Sequence, residues 1–212
     1  MKKKCPLCKS LQTFLFEAME SKEYFICRVC DLVFLPRKYH LSPTQEKKRY
    51  DLHENDPSDE DYRNFLSRLA KPVKERVKLP ARGLDYGSGP VPVLAKMLQE
   101  EGYEMKVYDP YYVKNDSIFD ENYDFICCSE VFEHFASPGD EIEKLLNILK
   151  VNGILGIMTE IRQESTEFTN WHYRRDPTHV CFYSDKTMNW LGENYELTRY
   201  KISKRVNIFQ KK

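Results

Sequence analysis

The segment Leu84-Asp85-Tyr86-Gly87-Ser88-Gly89-Pro90 decides the fold prediction. Residues 83–86 are mostly apolar, as in a short buried strand. Gly87 and Gly89 follow, and glycines let the backbone approach a ligand closely. Pro90 has the fixed φ that suits the first position of a helix, so we expect a helix to begin there. The segment therefore predicts a strand, a glycine turn and a helix whose free N–H groups point at a ligand.

Strands and helices continue to alternate outward from this segment. Apolar runs predict strands at residues 105–108, 123–128 and 154–158, and a helical apolar stripe follows Ser137. Short loops between such elements are typical of a parallel sheet covered on both faces. We therefore expect an α/β, Rossmann-like doubly wound sheet over residues 81–212, closed by an antiparallel edge pair within residues 195–209.

The residues around the glycine turn indicate which ligand it binds. Asp109 ends the next strand, at close to the spacing used to hold ribose hydroxyls. A dinucleotide fingerprint needs a glycine where Pro92 stands, and a carboxylate at Asp85 would repel a pyrophosphate. Asp85 instead suits a cationic amino group. The electrostatics favour S-adenosylmethionine over NAD, with a nucleotide-free doubly wound fold as the alternative.

Three segments together resemble the motifs of class I methyltransferases: residues 83–90, Tyr108-Asp109-Pro110, and residues 123–135 with their Glu-Val-Phe-Glu-His-Phe ending. The resemblance implies that Asp85, Gly87 and Gly89 line the methionyl side of the cofactor and that Tyr86 also belongs to the cofactor site. It implies that Asp109 binds the ribose and that Ser129 and Glu130 lie along the cofactor. The chain departs from the family at Val91, where the first motif usually has a third glycine.

Four cysteines near the N-terminus predict a second unit. Cys5 and Cys8 form one Cys-x2-Cys pair. Cys27 and Cys30 form a second pair, separated from the first by eighteen intervening residues. Two such pairs give the tetrahedral thiolate set of a structural Zn²⁺ site. We expect a zinc ribbon at residues 1–36, although a metal-free hairpin with incidental cysteines is the alternative. Residues 37–80 are expected to form a helical linker that covers the cofactor pocket.

Histidines supply the candidates for catalysis. His134 could act as a general base because its pKa lies near neutrality, or it could belong to a surface ion pair. His172, Tyr173 and His179 lie in a polar and aromatic segment after the fourth strand, where substrate loops belong. The alternative for that segment is a well-packed loop. Residues 53–56, His-Glu-Asn-Asp, are a further candidate for substrate contact.

A second resemblance covers most of the chain. A group of bacterial methyltransferase-like proteins also joins a cysteine-rich N-terminus to a Trp-His-Tyr…Asp-Pro-Thr-His segment, here residues 171–179. This resemblance brings no known substrate with it.

The composition narrows the function. The 212 residues carry no net charge, whereas proteins that grip nucleic-acid phosphates usually show a basic excess. No run of 18 apolar residues and no signal peptide is visible, so we expect a cytoplasmic protein without a membrane partner. The leading hypothesis is methyl transfer from S-adenosylmethionine to a small or soluble polar acceptor. An RNA or protein methyltransferase and a non-catalytic zinc-ribbon adaptor are the alternatives, and the oligomeric state is left open.

Overall fold

The computed structural model describes residues 3–19, 21–52 and 55–212, and it contains ten strands and five α-helices in this part of the chain. In chain order these are β1 (Thr13–Met19), β2 (Lys22–Cys27), β3 (Val33–Phe34), α1 (Pro43–Tyr50), α2 (Glu60–Lys74), β4 (Arg82–Tyr86), α3 (Val93–Glu100), β5 (Glu104–Tyr108), β6 (Tyr123–Ser129), α4 (Pro138–Ile148), β7 (Leu149–Met158), β8 (Cys181–Phe182), α5 (Asp185–Asn194), β9 (Leu197–Lys201) and β10 (Val206–Lys211). No helix in the described ranges is long and apolar enough to cross a membrane.

Six strands form the main sheet, in the order β5-β4-β6-β7-β10-β9. The strands β4 to β7 are mutually parallel, and β10 runs antiparallel to both β7 and β9. Both faces of the central strands are covered, since Phe125 packs with α2 and α3 while its neighbour Ile126 packs with α4 and α5. The predicted Rossmann-like sheet with an antiparallel edge pair is confirmed.

The cysteine-rich segment forms a smaller antiparallel sheet, in the order β1-β2-β3-β8. Its last strand comes from far along the chain, because Val33 pairs with Phe182 and Phe34 with Cys181. The segment also packs on the start of α4, where a Cβ added at Gly139 would lie 2.3 Å from the Leu7 carbonyl oxygen. The described part of the cysteine-rich segment is thus joined to β8 and to α4, and the division at residues 36 and 80 stays a prediction.

Two predicted boundaries are wrong. Helix α3 begins at Val93, not at Pro90, because Val91 precedes Pro92 and a residue before proline avoids the helical region. Strand β7 begins at Leu149, not at Ile154, and it passes through Asn152 at a positive φ of 61°. The pairing of β7 with β6 is irregular at this point, since Tyr123 pairs with Leu149 but Phe125 pairs with Ile154. This shift in register accommodates the extra residues at the start of β7.

Candidate cofactor and acceptor site

A cavity of about 650 Å³ lies at the carboxyl ends of β4, β5 and β6. Ligands in open α/β sheets bind at this edge, and pockets of this size suit small organic molecules. Gly87, Gly89 and Asp109 line one part, and Tyr50 of α1 and Tyr62 of α2 line another. Helices α1 and α2 therefore help to enclose the cavity.

The glycine turn needs both of its glycines. Gly87 has φ +79°, and a Cβ there would lie 2.5 Å from Cγ2 of Val131. Gly89 has φ +66°, where any other L-residue is strained, and a Cβ there would meet only Asn55 Nδ2, at 3.9 Å. The amides of Gly87 and Ser88 donate to the Tyr108 carbonyl at 2.8 and 3.1 Å, which fixes the turn to the end of β5. The backbone is thus held open toward the cavity.

Asp109 ties the tip of β5 to the glycine turn. One carboxylate oxygen accepts from the Gly89 amide at 3.0 Å, and the other accepts from the amides of Tyr111 and Tyr112 at 2.8 and 3.2 Å. Nearby, the rings of Tyr86 and Tyr108 stack with their centroids 5.1 Å apart. An oriented carboxylate beside an aromatic surface can receive a sugar hydroxyl and an adjoining flat ring.

Asp85 lies beneath this turn and is not part of the cavity lining. It is 3% exposed, and its Oδ2 accepts from the Ala95 amide in α3 at 3.2 Å. Burial raises the pKa of Asp85 to about 7, the negative charge of Asp109 adds to this, and the Ala95 bond opposes it. Of the residues predicted for the cofactor, Tyr86, Gly87, Gly89, Asp109, Ser129 and Glu130 line the cavity.

Glu133, His134 and His179 form a polar group in the same cavity, which we call the acceptor pole. Glu133 is fully buried, and its Oε2 accepts from the Thr159 hydroxyl at 2.8 Å. Its Oε1 has no hydrogen-bond partner in the described ranges and lies 3.9 Å from His134 Nε2. Burial raises the pKa of Glu133, and the electrostatic interaction with His179 and the hydrogen bonds from Tyr173 and Thr159 offset only part of the shift.

The backbone orients both imidazoles of the acceptor pole. Nδ1 of His134 lies 3.1 Å from the Thr178 carbonyl, and Nδ1 of His179 lies 2.5 Å from the Tyr173 carbonyl. Since a carbonyl only accepts, each Nδ1 carries the hydrogen and each neutral ring has its lone pair on Nε2. Burial lowers the pKa of His179, which favours this neutral form.

The structure separates the residues of the predicted substrate loop. His179 lines the cavity, and Tyr173 lies behind it, with its hydroxyl 3.1 Å from Thr159 Oγ1 and 3.2 Å from Glu130 Oε2. His172 is 69% exposed, pairs with Glu160 at 3.2 Å and borders a separate surface hollow. We therefore leave His172 out of the proposed chemistry. Of residues 53–56, His53 and Glu54 lie outside the described residues, and Asn55 lines the cavity.

Sequence reasoning missed most of the aromatic wall. Tyr50 packs edge-on against His134, with the ring centroids 5.3 Å apart, and Tyr111 packs against Tyr50. Tyr62 and Phe65 complete this side of the cavity. Nothing local in the sequence distinguishes aromatic residues of a cavity wall from those of a core face.

The four N-terminal cysteines cluster as the spacing predicted. The sulfurs of Cys5 and Cys30 lie 3.6 Å apart, those of Cys8 and Cys27 lie 3.4 Å apart, and all four sulfurs lie within 4.8 Å of one another. Tetrahedral Zn–S bonds of about 2.3 Å would place the sulfurs about 3.8 Å apart. The cluster fits a zinc ribbon.

Comparison with known proteins decides the family. The sequence profile of a family described as a methyltransferase domain matches residues 53–201, more than half of the chain. The chain belongs to this methyltransferase family. The resemblance to class I methyltransferases is confirmed. The expectation that the chain is a methyltransferase is confirmed as well. No curated protein sequence matches this methyltransferase.

Solved structures show the same fold at low sequence identity. The 1,6-didemethyltoxoflavin-N1-methyltransferase of Burkholderia thailandensis aligns with a TM-score of 0.54 at 12% identity, over 85% of this methyltransferase and 95% of that protein. An S-adenosylmethionine-dependent methyltransferase from Archaeoglobus fulgidus aligns with a TM-score of 0.51 at 18% identity, over 73% and 74% of the two chains.

Proposed function

We propose that this methyltransferase binds S-adenosylmethionine at the glycine turn and methylates a small polar acceptor held at the acceptor pole. The observation that carries the proposal is that one cavity contains both a backbone cradle and two oriented imidazoles. The cradle fits the cofactor, because Gly87 and Gly89 leave the backbone uncovered and Asp109 is fixed beside it. S-adenosylmethionine supplies an electrophilic methyl group when it is bound.

The residues of the chain would position the acceptor and hold its proton. The Nε2 lone pairs of His134 and His179 can each accept a hydrogen bond from an acceptor hydroxyl or amine, and either can take its proton. Both rings are held through Nδ1, so the proton acceptor is oriented before substrate arrives. The aromatic wall of Tyr50 and Tyr62 excludes water from the reacting atoms.

Cavity size and charge favour a small acceptor over RNA. A cavity of about 650 Å³ that also holds the cofactor leaves room for a compact molecule, and the chain has no net charge. The structurally similar Burkholderia enzyme was solved with 1,6-didemethyltoxoflavin and S-adenosylhomocysteine bound, which supports this choice. If bulk RNA bound with a steep salt dependence, the RNA alternative would replace it. The cytoplasmic location stays a prediction.

The cysteine cluster is proposed to hold one structural Zn²⁺. Four thiolates close a tetrahedral site, and the short strands β1 to β3 bury too little surface to be stable alone. Elemental analysis of the purified protein should find zinc, and a Cys8→Ser variant should contain about one zinc ion less per chain because Cys8 is one of the four ligands.

Calorimetry with S-adenosylmethionine, with NAD as the competing ligand, tests the cofactor assignment. We expect micromolar binding of S-adenosylmethionine that Gly87→Ala weakens at least tenfold, because the added Cβ would collide with Val131. Gly102→Ala is the matched control, since Gly102 also has a positive φ, of +94°, but lies outside the cavity lining. Preference for NAD, or no binding at all, would refute the proposal and favour the adaptor.

A further inference from the structure

The acceptor pole has the composition of a metal site. One carboxylate oxygen of Glu133 and one ring nitrogen each of His134 and His179 lie within 4.8 Å of one another. Donors bound to one ion at about 2.1 Å lie about 3–3.5 Å apart, so small side-chain movements would bring the three together. The three residues come from two separate segments, which the fold brings together in the cavity.

The hydrogen bonds around the acceptor pole orient its nitrogen and oxygen atoms so that they can bind a metal ion. Both imidazoles use Nδ1 to donate to a backbone carbonyl, which places the lone pair of each neutral ring on Nε2. Hydrogen bonds of this kind orient metal-binding histidines in proteins. Glu133 is held in the same way through Oε2, which accepts from Thr159 at 2.8 Å.

One carboxylate oxygen of Glu133 lacks a hydrogen-bond partner among the described residues. This oxygen, Oε1, is fully buried, and the side chain lines the cavity. Arg205, the neighbouring guanidinium, already pairs with both Glu130 and Glu160. A buried carboxylate is costly unless a cation or a donor compensates it. A divalent ion at Oε1 would supply that compensation.

We infer that Glu133, His134 and His179 bind a divalent transition-metal ion in the cavity. Two imidazole nitrogens and one carboxylate oxygen favour Zn²⁺, Co²⁺, Fe²⁺ or Mn²⁺ over Mg²⁺ and Ca²⁺, which prefer all-oxygen sites. Three protein ligands leave open positions, as in catalytic rather than structural metal sites. An oxygen of the methyl acceptor would occupy one of them. That last role rests on the proposed function, whereas binding of the ion does not.

Titration with Co²⁺ tests the site in the full chain after its cysteine cluster has been filled with Zn²⁺. We expect one further ion per chain, with the visible absorption of nitrogen and oxygen ligands and no thiolate charge-transfer band. Glu133→Gln and His179→Gln should each weaken binding more than about 100-fold, since even the loss of a group that only supports a ligand costs about 10–100-fold. His172→Gln is the matched control and should bind normally, because His172 also lies beside a carboxylate but outside the cavity.

Three results would overturn the inference: no further ion, Co²⁺ that only displaces the cysteine-bound Zn²⁺, or further binding that survives both substitutions. Melting temperatures of the variants would show that they fold. Calorimetry with S-adenosylmethionine on the same samples separates the two proposals. If S-adenosylmethionine binds but no further ion does, only the metal-site inference is refuted. If the further ion binds but S-adenosylmethionine does not, only the proposed function is refuted.

Discussion

Replacing Asp85 with asparagine should stabilise the protein at alkaline pH. The asparagine side chain keeps the shape of the aspartate and can still accept from the Ala95 amide, but it carries no charge to bury. The carboxyl of Asp85 has its pKa raised from 3.8 to about 7 by burial and by Asp109. The folded state therefore holds the proton more tightly than the unfolded state does.

The sign and size of the effect follow from this difference. Because the pKa is raised in the folded state, the contribution of Asp85 to stability falls as pH rises from about 4 to about 7 and then stays constant. A difference of about three pH units at ~1.4 kcal/mol each gives about 4 kcal/mol as an upper value. Since local relaxation reduces it, we expect Asp85→Asn to gain about 2 kcal/mol or more at pH 8 and almost nothing at pH 4.

Urea unfolding of wild type and variant across this pH range, without cofactor, measures the difference directly. Asp124→Asn is the control of opposite sign. Burial alone would raise the pKa of Asp124, but bonds from the Arg82 amide and the Lys150 ammonium outweigh it and lower the pKa. That variant should lose stability near neutral pH, where the wild-type carboxylate is ionised. A pH-independent difference for Asp85→Asn would refute the reasoning.

Further predictions concern single contacts. Gly139→Ala should lower the free energy of unfolding in urea by more than about 1 kcal/mol, because the new Cβ meets the Leu7 carbonyl oxygen at 2.3 Å. Tyr173→Phe should reduce stability by about 1–3 kcal/mol, since Thr159 and Glu130 lose a buried partner; a change within measurement error would contradict the hydrogen bonds at 3.1 and 3.2 Å. Once an acceptor is known, His179→Ala should lower kcat by about 10²–10⁴ with normal cofactor affinity, and His172→Ala should leave kcat unchanged.

What the sequence could predict was local. The glycine turn, the stacked Tyr86 and Asp109 all lie within one strand–helix–strand unit, so their spacing along the chain nearly determines their spacing in space. The Cys-x2-Cys pairs are local for the same reason. The start of α3 also depends on local sequence. A residue before proline avoids the helical region, and applying this rule to Val91 would have placed the start of the helix correctly.

The sequence could not predict the features of the site that depend on contacts between segments far apart in the chain. His179 lies beside His134 because two contacts join their segments: Val180 donates to the Glu133 carbonyl at 2.8 Å, and His134 Nδ1 donates to the Thr178 carbonyl at 3.1 Å. Nothing near either residue in the sequence signals these contacts. His172 and His179 lie seven residues apart in one segment, yet His172 is exposed and His179 lines the cavity. The helix α1 brings Tyr50 to His134 across more than eighty residues of chain.

The same backbone contacts join the cysteine sheet to the acceptor pole. Val180 follows His179, its amide donates to Glu133, and its carbonyl accepts from the Leu35 amide at 2.9 Å, just before Cys181 enters β8. The strand that completes the cysteine sheet therefore also fixes His179. If Zn²⁺ holds that sheet, its loss should free His179 while the glycine turn, which is bonded to β5 of the main sheet, keeps its cofactor affinity.

Hydrogen exchange in Cys8→Ser checks this link without any knowledge of the acceptor. Cys8 is the least buried of the four cysteines, so its replacement removes a ligand with little damage to the core. The Leu35 and Val180 amides should lose protection, whereas the Gly87 amide, bonded to Tyr108 in the main sheet, should keep it. Equal protection of all three amides after zinc loss would mean that the main sheet alone positions His179, and that the cysteine sheet serves some purpose other than shaping the acceptor pole.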